Sequence, residues 1–332
     1  MSVFTNTIGI DVSKDKLDVH DYKLNKHHIF NNDKVGFKKL LAWVKSEHQD
    51  RVKSLLFCFE HAGIYSLGLS VFMEENELFY KIIPGLEIKR STGMARGKND
   101  QIDAFKIAQY AYYRRDELNP SKLPAAELLK LKDLLCLRER MVKQRSGYRA
   151  HLKELTRFSN RENNNLLFES QERMIKELCK EIKLVEKEME QIIKENPAIQ
   201  VQYKLAITVK GGGLILGGSL IVYSDNFSRF KNWRQFASYV GIAPFDYESG
   251  SSIKRSKQVS HMANKRLKAL LSNAATSSMV HSPEMRLYYG KRIKEGKNKM
   301  LIQNIIRNKI LSRVFAVVKR GTPYVNTLSY AA

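Results

Sequence analysis

Hydrophobic and polar residues alternate in short runs over the first hundred residues of the chain. Five stretches have the apolar pattern of strands: 7–12, 17–22, 27–31, 54–59 and 78–83. Apolar residues recur at helical spacing over 37–46 and 64–75, and a further helix begins near Asp100. The order is βββαβαβ followed by a helix. It predicts a mixed α/β sheet with the RNase H-like arrangement.

The pattern changes to long helices between residues 125 and 196. Two apolar stripes at helical spacing are separated by an Asn-rich segment, 160–165. This pattern predicts a helical hairpin or coiled coil, which is the expected dimerisation element. We therefore expect three regions: an α/β domain over 1–120, a helical region over 121–199 and a mostly helical domain over 200–332.

The last region is predicted to be helical apart from two glycine-containing segments. The triplet Gly211-Gly212-Gly213 lies between two apolar segments and predicts a tight turn between helices, whose backbone N–H groups can face a phosphate. Residues 241–260 are rich in Gly and Ser and are expected to form a loop. A helix is expected over 265–280, and the basic C-terminal end is also expected to be helical.

Charge is distributed very unevenly along the 332 residues. The net charge is +23, and residues 200–332 alone contain 22 Lys and Arg against 5 Asp and Glu. An excess confined to one region is typical of a protein that binds a polyanion, and nucleic acid is the polyanion we expect. The three cysteines lack metal-ligand spacing, and the one long apolar stretch contains Lys210 and five glycines. These features favour a soluble, cytoplasmic protein without zinc, disulfides or a membrane span.

Four carboxylates suggest a metal site in the first domain. Asp11 and Glu60 lie at the ends of predicted strands, whereas Asp100 and Asp103 lie three residues apart at the start of a predicted helix. An all-oxygen set of this kind suits Mg²⁺ or Mn²⁺, and two such ions can clamp a scissile phosphodiester. The alternative is that Asp100 only caps the helix and Asp103 only interacts with its dipole.

Other charged positions can be interpreted more simply. Asp15, Asp18 and Asp21 are expected to be solvated residues of a hairpin. A basic stripe at i+4 spacing follows in the helical region, and phosphate contact is slightly favoured over an ordinary solvated face. Its members are Arg145, Arg149, Lys153, Arg157 and Arg161.

With these residues identified, the sequence resembles the insertion-sequence 110 family of transposases over nearly its whole length. The family includes Piv-type DNA invertases and bridge-RNA-guided recombinases. Three N-terminal segments are similar to its acidic motifs: 8–14 (IGIDVSK), 59–63 (FEHAG) and 98–104 (KNDQIDA). Together they imply a RuvC-like domain whose metal ligands are Asp11, Glu60, Asp100 and Asp103.

The C-terminal segments resemble the transposase domain of that family. They are 236–244 (FASYVGIAP), 249–254 (SGSSIK), 259–261 (VSH) and 264–268 (NKRLK). Two segments depart from the family pattern: KGGG at 210–213 stands where many relatives have Pro-Gly-x-Gly, and SHMAN at 260–264 replaces a common Ser-Lys-Arg-Gly-Asn. These departures leave specific contacts of the turn and of the loop open.

The resemblance implies a nucleophilic serine, Ser249 of the Ser-Gly motif, with Ser251 and Ser252 as the alternatives. A serine hydroxyl is a weak nucleophile, and the metal site would assist it on the same phosphodiester. Basic residues around this segment are expected to bind nucleic acid together with the helical stripe. They are Lys254, Arg255, Lys257, Lys265 and Arg266.

The resemblance also implies the partners. A structured non-coding RNA would pair with donor and target double-stranded DNA, so that base pairing selects sequence. Paired DNA ends imply a homodimer or homotetramer, and the expected location is the bacterial cytoplasm at the nucleoid. Two other functions remain open: a RuvC-like junction nuclease that uses water, and a catalytically silent RNA- or DNA-binding protein.

Overall fold

The computed structural model describes residues 4–91, 99–249 and 253–325, and for 247–249 and 253–256 it describes the backbone only. The chain divides into two compact units, Met1–Leu123 and Pro124–Ala332. The expected helical region and the expected C-terminal domain therefore fall in one unit. In the described part of the chain, no helix is both long enough and apolar enough to cross a bilayer.

The first unit is built on a five-stranded mixed sheet. Its strands are β1 (Asn6–Val12), β2 (Lys16–Asp21), β3 (Lys26–Asn31), β4 (Leu55–Glu60) and β5 (Tyr80–Ile83). The strand order is β3-β2-β1-β4-β5. The first three strands pair antiparallel as a meander, and β4 and β5 add in parallel to β1. This order is consistent with an RNase H-like domain, as the sequence predicts.

Helices cover both faces of the central strands. They are α1 (Lys34–His48), α2 (Leu67–Glu75), α3 (Gly85–Ser91) and α4 (Asp100–Tyr113). Residues of α1 and α2 pack on one face, where Ile8, Ile10 and Phe57 are almost fully buried. Residues of α4 pack on the other face around Leu56 and Cys58. Burial on both faces explains the nearly continuous apolar sequence of β4.

Glycine at position 9 lets α4 approach β1 closely. A Cβ atom there would collide with the Ala104 carbonyl oxygen and the Ala108 backbone nitrogen, and it would lie 2.7 Å from the Ala108 Cβ. The hydroxyl of Thr7 donates a 2.8 Å hydrogen bond to the Ala108 carbonyl. The start of α4, with its two aspartates, is thus held against the strand that carries Asp11.

The second unit begins with two long helices, α5 (Ala126–Phe158) and α6 (Asn165–Glu195). Residues early in α5 pair with residues late in α6: Lys130 with Glu188 at 2.5 Å and Arg138 with Glu186 at 2.6 Å. Farther along, Arg145 lies against Cys179. The partners in α6 run backwards as those in α5 advance, so the two helices are antiparallel. Their role in dimerisation stays a prediction.

The rest of the second unit is helical except for one hairpin. Its elements are α7 (Pro197–Ile207), α8 (Leu214–Ser224), α9 (Trp233–Val240), β6 (Pro244–Ser249), β7 (Ile253–Val259), α10 (Lys265–His281), α11 (Pro283–Lys294) and α12 (Lys299–Arg320). The core forms mainly between α8, α9, α10 and α12, around Phe236, Leu271 and Ile306. A second core joins α5, α6, α7 and α8.

Two elements differ from the sequence-based expectation. Residues 241–260 were expected to be a Gly/Ser-rich loop, but β6 and β7 pair antiparallel there. The interior of β7, residues 254–258, is polar at every position, so the apolar alternation that reveals a half-buried strand is missing there. The other is α3, a short helix after Pro84 that the apolar spacing did not predict.

Candidate functional site

Asp11 lies near the C-terminal end of β1 and is half-buried. In the antiparallel pairing with β2, it stands directly opposite Asp18. The pKa of the Asp11 carboxyl is raised to about 6, first by burial and then by the negative charges of Asp100, Asp103, Asp18 and Glu60. The structure therefore brings Asp11 within electrostatic range of all three other predicted ligands.

Asp100 and Asp103 are in the first turn of α4. The side chain of Asn99 caps this helix by accepting a 3.0 Å hydrogen bond from the Gln101 backbone nitrogen. Asp100 is therefore not the capping residue, which removes that alternative interpretation. Negative charge is favourable at the N-terminal end of a helix, which carries the positive end of the helix dipole. Asp100 and Asp103 can therefore both make the dipole interaction that was expected for Asp103.

Two lysines partly neutralise the carboxylates. The Lys16 ammonium lies 2.7 Å from Asp100 Oδ2 and 3.0 Å from Asp18 Oδ2, and these carboxylates hold the pKa of Lys16 above its usual value. The Lys106 ammonium lies 3.3 Å from Asp103 Oδ1. Sequence reasoning did not assign Lys16 to the site. A lysine two residues before Asp18 in a strand paired with β1 was the available signal.

Glu60 is the last residue of β4, which pairs in parallel with β1. Parallel strands bring their C-terminal ends to the same edge of the sheet, so Glu60 and Asp11 face the same end. The Glu60 carboxylate lies directly against Gly85 at the start of α3, where a Cβ atom would overlap it. Glycine at position 85 thus leaves the space that the carboxylate occupies.

The donor chemistry of this carboxylate cluster (Asp11, Glu60, Asp100 and Asp103) fits a hard divalent cation. All four groups offer oxygen, and the mutual repulsion at Asp11 is the kind that a bound cation relieves. Among residues 4–91, 99–249 and 253–325, however, no three acidic, histidine or cysteine side chains are arranged to hold one ion. The lysine contacts provide the positive charge at this edge of the sheet.

The expectation that Asp18 and Asp21 are solvated is wrong. Asp18 is 3% exposed and accepts a 3.1 Å hydrogen bond from His27. Asp21 is fully buried; it contacts His48 Nε2 at 2.5 Å and accepts a 2.7 Å bond from the Asn6 amide. Each buried carboxylate has partners, as burial of charge requires. The partners come from β1, β3 and α1, so the local sequence does not indicate them.

Ser249, the predicted nucleophile, is the last residue of β6, and its backbone pairs with Ile253 of β7. Its side chain lies outside what the structure describes, as do those of Lys254 and Arg255. Ser251 and Ser252, the alternative nucleophiles, are also outside the described residues. The assignment among the three serines stays a prediction.

The glycine turn has a packing role in the structure. Gly211 has a positive φ of 96°, and a Cβ there would lie 2.8 Å from the Ala274 carbonyl oxygen. The Ser278 hydroxyl in α10 donates a 2.9 Å hydrogen bond to the Lys210 carbonyl. Close approach of the turn to α10 accounts for glycine at this position, so a phosphate is not needed to explain it.

The predicted basic stripe is not uniform. Arg145 and Arg149 direct guanidinium groups at Cys179 of α6, so they face the partner helix. Lys153 and Arg157 are exposed. The last member, Arg161, lies beyond the end of α5 at Phe158 and pairs with Glu172 at 2.9 Å. The helix therefore carries four of the five residues, because Ser159 ends it one turn early. Nucleic-acid binding by these residues stays a prediction.

Arg266 is engaged within the protein. It donates hydrogen bonds to Cys136 Sγ at 3.1 Å and to the Leu135 carbonyl, and it pairs with Glu139 at 3.0 Å. It thus ties α10 to α5, which a search for charge alone does not reveal. Its neighbour Lys265 is exposed at the start of α10.

The other described basic residue of the hairpin is Lys257. It is exposed and pairs with Asp246 at 2.7 Å. The two residues lie on β7 and β6, so this ion pair joins the strands of the hairpin. Exposed pairs of this kind contribute little stability, so Lys257 can exchange Asp246 for another anion at low cost.

Comparison with known proteins assigns the family. Residues 8–158 match a DEDD transposase model of the IS110 group, and residues 203–290 match a model described as "Transposase IS116/IS110/IS902 family". The chain is also similar to the pilin gene-inverting proteins of Moraxella lacunata and Moraxella bovis. Each is 27% identical over 325 residues, covering 96% of this chain and 97% of the relative. The resemblance expected from the motifs is confirmed: the chain belongs to the IS110 family of DNA transposases and Piv-like recombinases.

Proposed function

We propose that this transposase cuts and rejoins DNA through a covalent phosphoserine intermediate at Ser249, with a divalent cation held by Asp11, Glu60, Asp100 and Asp103. The observation that carries the metal part is the electrostatic coupling of Asp11 to the three other carboxylates. The serine part is supported by the family match over 203–290, which includes the Ser-Gly motif.

The serine step is a transesterification that needs no added reactant. The Ser249 oxygen forms a bond to phosphorus, the bond from phosphorus to one DNA oxygen breaks, and the serine proton is transferred to that leaving oxygen, which becomes a free DNA hydroxyl. In the second step a hydroxyl from another strand attacks the same phosphorus, the bond from phosphorus to serine breaks, and the proton of that hydroxyl returns to the Ser249 oxygen. One phosphoester replaces another at each stage, so the energy of the backbone bond is retained.

The carboxylate cluster would hold Mg²⁺ or Mn²⁺. When bound, the cation supplies charge that polarises the phosphate and stabilises negative charge on oxygen. The chain's own contribution is to fix the ligands: β1 and β4 present Asp11 and Glu60 at one sheet edge, and the capped start of α4 presents Asp100 and Asp103. Asp100 and Asp103 would exchange their lysine partners, Lys16 and Lys106, for the ion.

The proposed substrate is double-stranded DNA of an insertion sequence and its target. The named relatives invert a pilin gene, so a site-specific rearrangement is the related activity. We further propose that a structured guide RNA selects both sites and that a homodimer or homotetramer holds them, in the cytoplasm at the nucleoid. The Lys and Arg residues within 200–332 would bind the backbone phosphates.

Trapping the covalent intermediate tests the nucleophile. Nicked DNA substrates that lose the attacking strand should leave a protein–DNA adduct that resists denaturant, and peptide mapping should locate it on Ser249. We expect no adduct from Ser249→Ala, whereas Ser251→Ala and Ser252→Ala serve as matched controls that keep it. An adduct that persists in Ser249→Ala, or maps to another serine, would refute the assignment.

Isosteric carboxylate variants test the metal site. Asp11→Asn keeps size and should abolish cleavage in Mg²⁺ or Mn²⁺, whereas Asp15→Asn in the exposed turn should not. Cleavage by Ser249→Ala that yields ordinary hydrolysed ends would favour the nuclease that uses water. Absence of any metal-dependent cleavage by the wild-type chain would favour a silent binding protein.

The guide RNA has a separate test. RNA that copurifies with the chain from its host should map next to the coding region, and its removal should stop recombination. Recombination that is unchanged after complete removal of RNA would refute guidance while leaving the serine and metal steps intact. Light scattering of the purified complex measures its oligomeric state.

A further inference from the structure

A group of aromatic and cationic side chains lies on the first unit, where β2 ends and α4 ends. We refer to it as the tyrosine patch, and its members are Tyr22, Tyr112, Tyr113, Lys23 and Arg115. These residues are not part of the carboxylate cluster. Helix α4 carries Asp100 and Asp103 in its first turn, and it carries Tyr112 and Tyr113 at its other end. The patch is therefore a separate surface feature.

The rings of the patch are ordered by one another. The Tyr22 and Tyr112 centroids lie 4.6 Å apart, and the Arg115 guanidinium covers Tyr112 at 4.2 Å from its centroid. Tyr112 thus contacts both an aromatic ring and a cation. Tyr22 also stacks on Phe105 at 6.0 Å. Two of the three tyrosines are accordingly accounted for by packing.

Tyr113 is different because most of its surface is open. It is 71% exposed, and it meets Tyr22 and Tyr112 by edge contacts with centroids 6.0 and 6.2 Å apart. The Tyr22 hydroxyl donates a 3.2 Å hydrogen bond to the Tyr113 hydroxyl. The exposed fraction leaves most of the ring open to a ligand, and the hydrogen bond helps to hold the ring in one orientation.

We propose that the tyrosine patch binds an unpaired nucleobase of single-stranded nucleic acid, which stacks on Tyr113. An exposed ring held in place in advance loses little conformational entropy on binding. Any base has a face that can stack on it, and the adjacent cations suit the phosphates of the same strand. Acidic residues Asp116 and Glu117 follow close by, so ring stacking and not net charge distinguishes this surface.

Base-paired DNA does not fit this surface in the same way. The faces of paired bases are covered by their neighbours in the stack, so a ring reaches them only by unstacking the duplex. The bound strand would therefore be an RNA loop or an opened DNA segment. The proposal extends the nucleic-acid role of the proposed function but does not depend on Ser249 or on a metal ion.

Substitutions at Tyr113 distinguish stacking from simple apolar contact. Binding of short oligouridylate, oligothymidylate and duplex DNA is measured by fluorescence anisotropy, in raised salt and chelator, on the Ser249→Ala background. Tyr113→Leu should weaken single-strand binding by about tenfold, the order expected for one lost base–aromatic stack, and leave duplex binding unchanged. Tyr113→Trp should retain it. Tyr65→Leu, an exposed tyrosine outside the patch, is the matched control.

A second measurement locates the contact. An oligouridylate with photoreactive iodouracil should crosslink to Tyr113, and Tyr22→Phe should lower that yield because it removes only the orienting hydroxyl. A preference for oligouridylate identifies RNA as the source of the base, and a preference for oligothymidylate identifies DNA. Equal loss of duplex and single-strand binding in Tyr113→Leu, undiminished single-strand binding, or crosslinks elsewhere would overturn the proposal.

Discussion

Replacing Gly9 by alanine should separate β1 from α4. The added Cβ would collide with backbone atoms of Ala104 and Ala108, and a helix backbone cannot rotate away as a side chain can. Overpacking of this kind costs about 3 kcal/mol, at the upper end of the usual range, because the whole helix must shift. The displaced helix carries Asp100 and Asp103. The rate of DNA cleavage should therefore fall by more than the loss of folded protein alone explains.

Denaturant unfolding measures this effect. The chain has two tryptophans, Trp43 in the first unit and Trp233 in the second, so a Trp233→Phe background makes fluorescence report on the first unit. The expected result is a lower midpoint with an unchanged slope. The covalent-adduct assay with nicked DNA on the same variant measures the loss of cleavage.

Gly68 provides the matched control. Alanine at this position in α2 would meet Phe37 at 3.5 Å, an ordinary contact, so Gly68→Ala should stabilise the first unit by about 0.5–1 kcal/mol through helix propensity. Both substitutions replace glycine by alanine, but they are expected to change the free energy of unfolding in opposite directions. A Gly9→Ala chain that unfolds at or above the wild-type midpoint would refute the close-packing argument.

Three further predictions concern Gly85, Arg266 and the basic residues within 200–332. Gly85→Ala should displace the Glu60 carboxylate and reduce metal-dependent cleavage, with stability changed by about 0.5 kcal/mol or less; full activity would show that the carboxylate works from elsewhere. Arg266→Ala should lower the free energy of unfolding by about 2–3 kcal/mol, because two hydrogen bonds and an ion pair are lost, whereas exposed Lys265→Ala should leave it unchanged; equal effects would contradict the structural role. DNA affinity should fall by about a thousandfold when salt rises about fourfold, since residues 200–332 carry the excess charge; a flat salt titration would contradict this.

The elements of the first unit are predictable because each has its own hydrophobic pattern. Strands β1 and β4 are apolar runs buried on both faces, and a charged residue at or near their ends is conspicuous. Asp11 and Glu60 can therefore be predicted as candidate metal ligands from the sequence. The order of strands and helices also determines which ends share a sheet edge, so the coupling of these acids follows from topology.

The environment of other charges is not local information. Asp18 and Asp21 have the sequence context of hairpin residues, but their strand is covered on both sides and their partners His27 and His48 come from other elements. Arg266 likewise lies in a basic segment, although its contacts are on α5, far away in the chain. The sequence shows where charged side chains occur along the chain, whereas tertiary packing decides whether those side chains are available to a ligand.

Packing places some of the opposite charges in the first unit beside each other. Residues 1–120 contain 18 Lys and Arg and 16 Asp and Glu, and some of this balance is spatial: Lys16 bridges Asp18 and Asp100, and Lys106 contacts Asp103. A cluster of like charges at one sheet edge would otherwise repel the folded state. The lysines relieve that repulsion, and the Lys16–Asp100 pair, in which both side chains are exposed, costs little to break. The folded chain can therefore keep this acidic sheet edge intact, and the carboxylates could still exchange a lysine partner for a cation or for an ion bound to a phosphate.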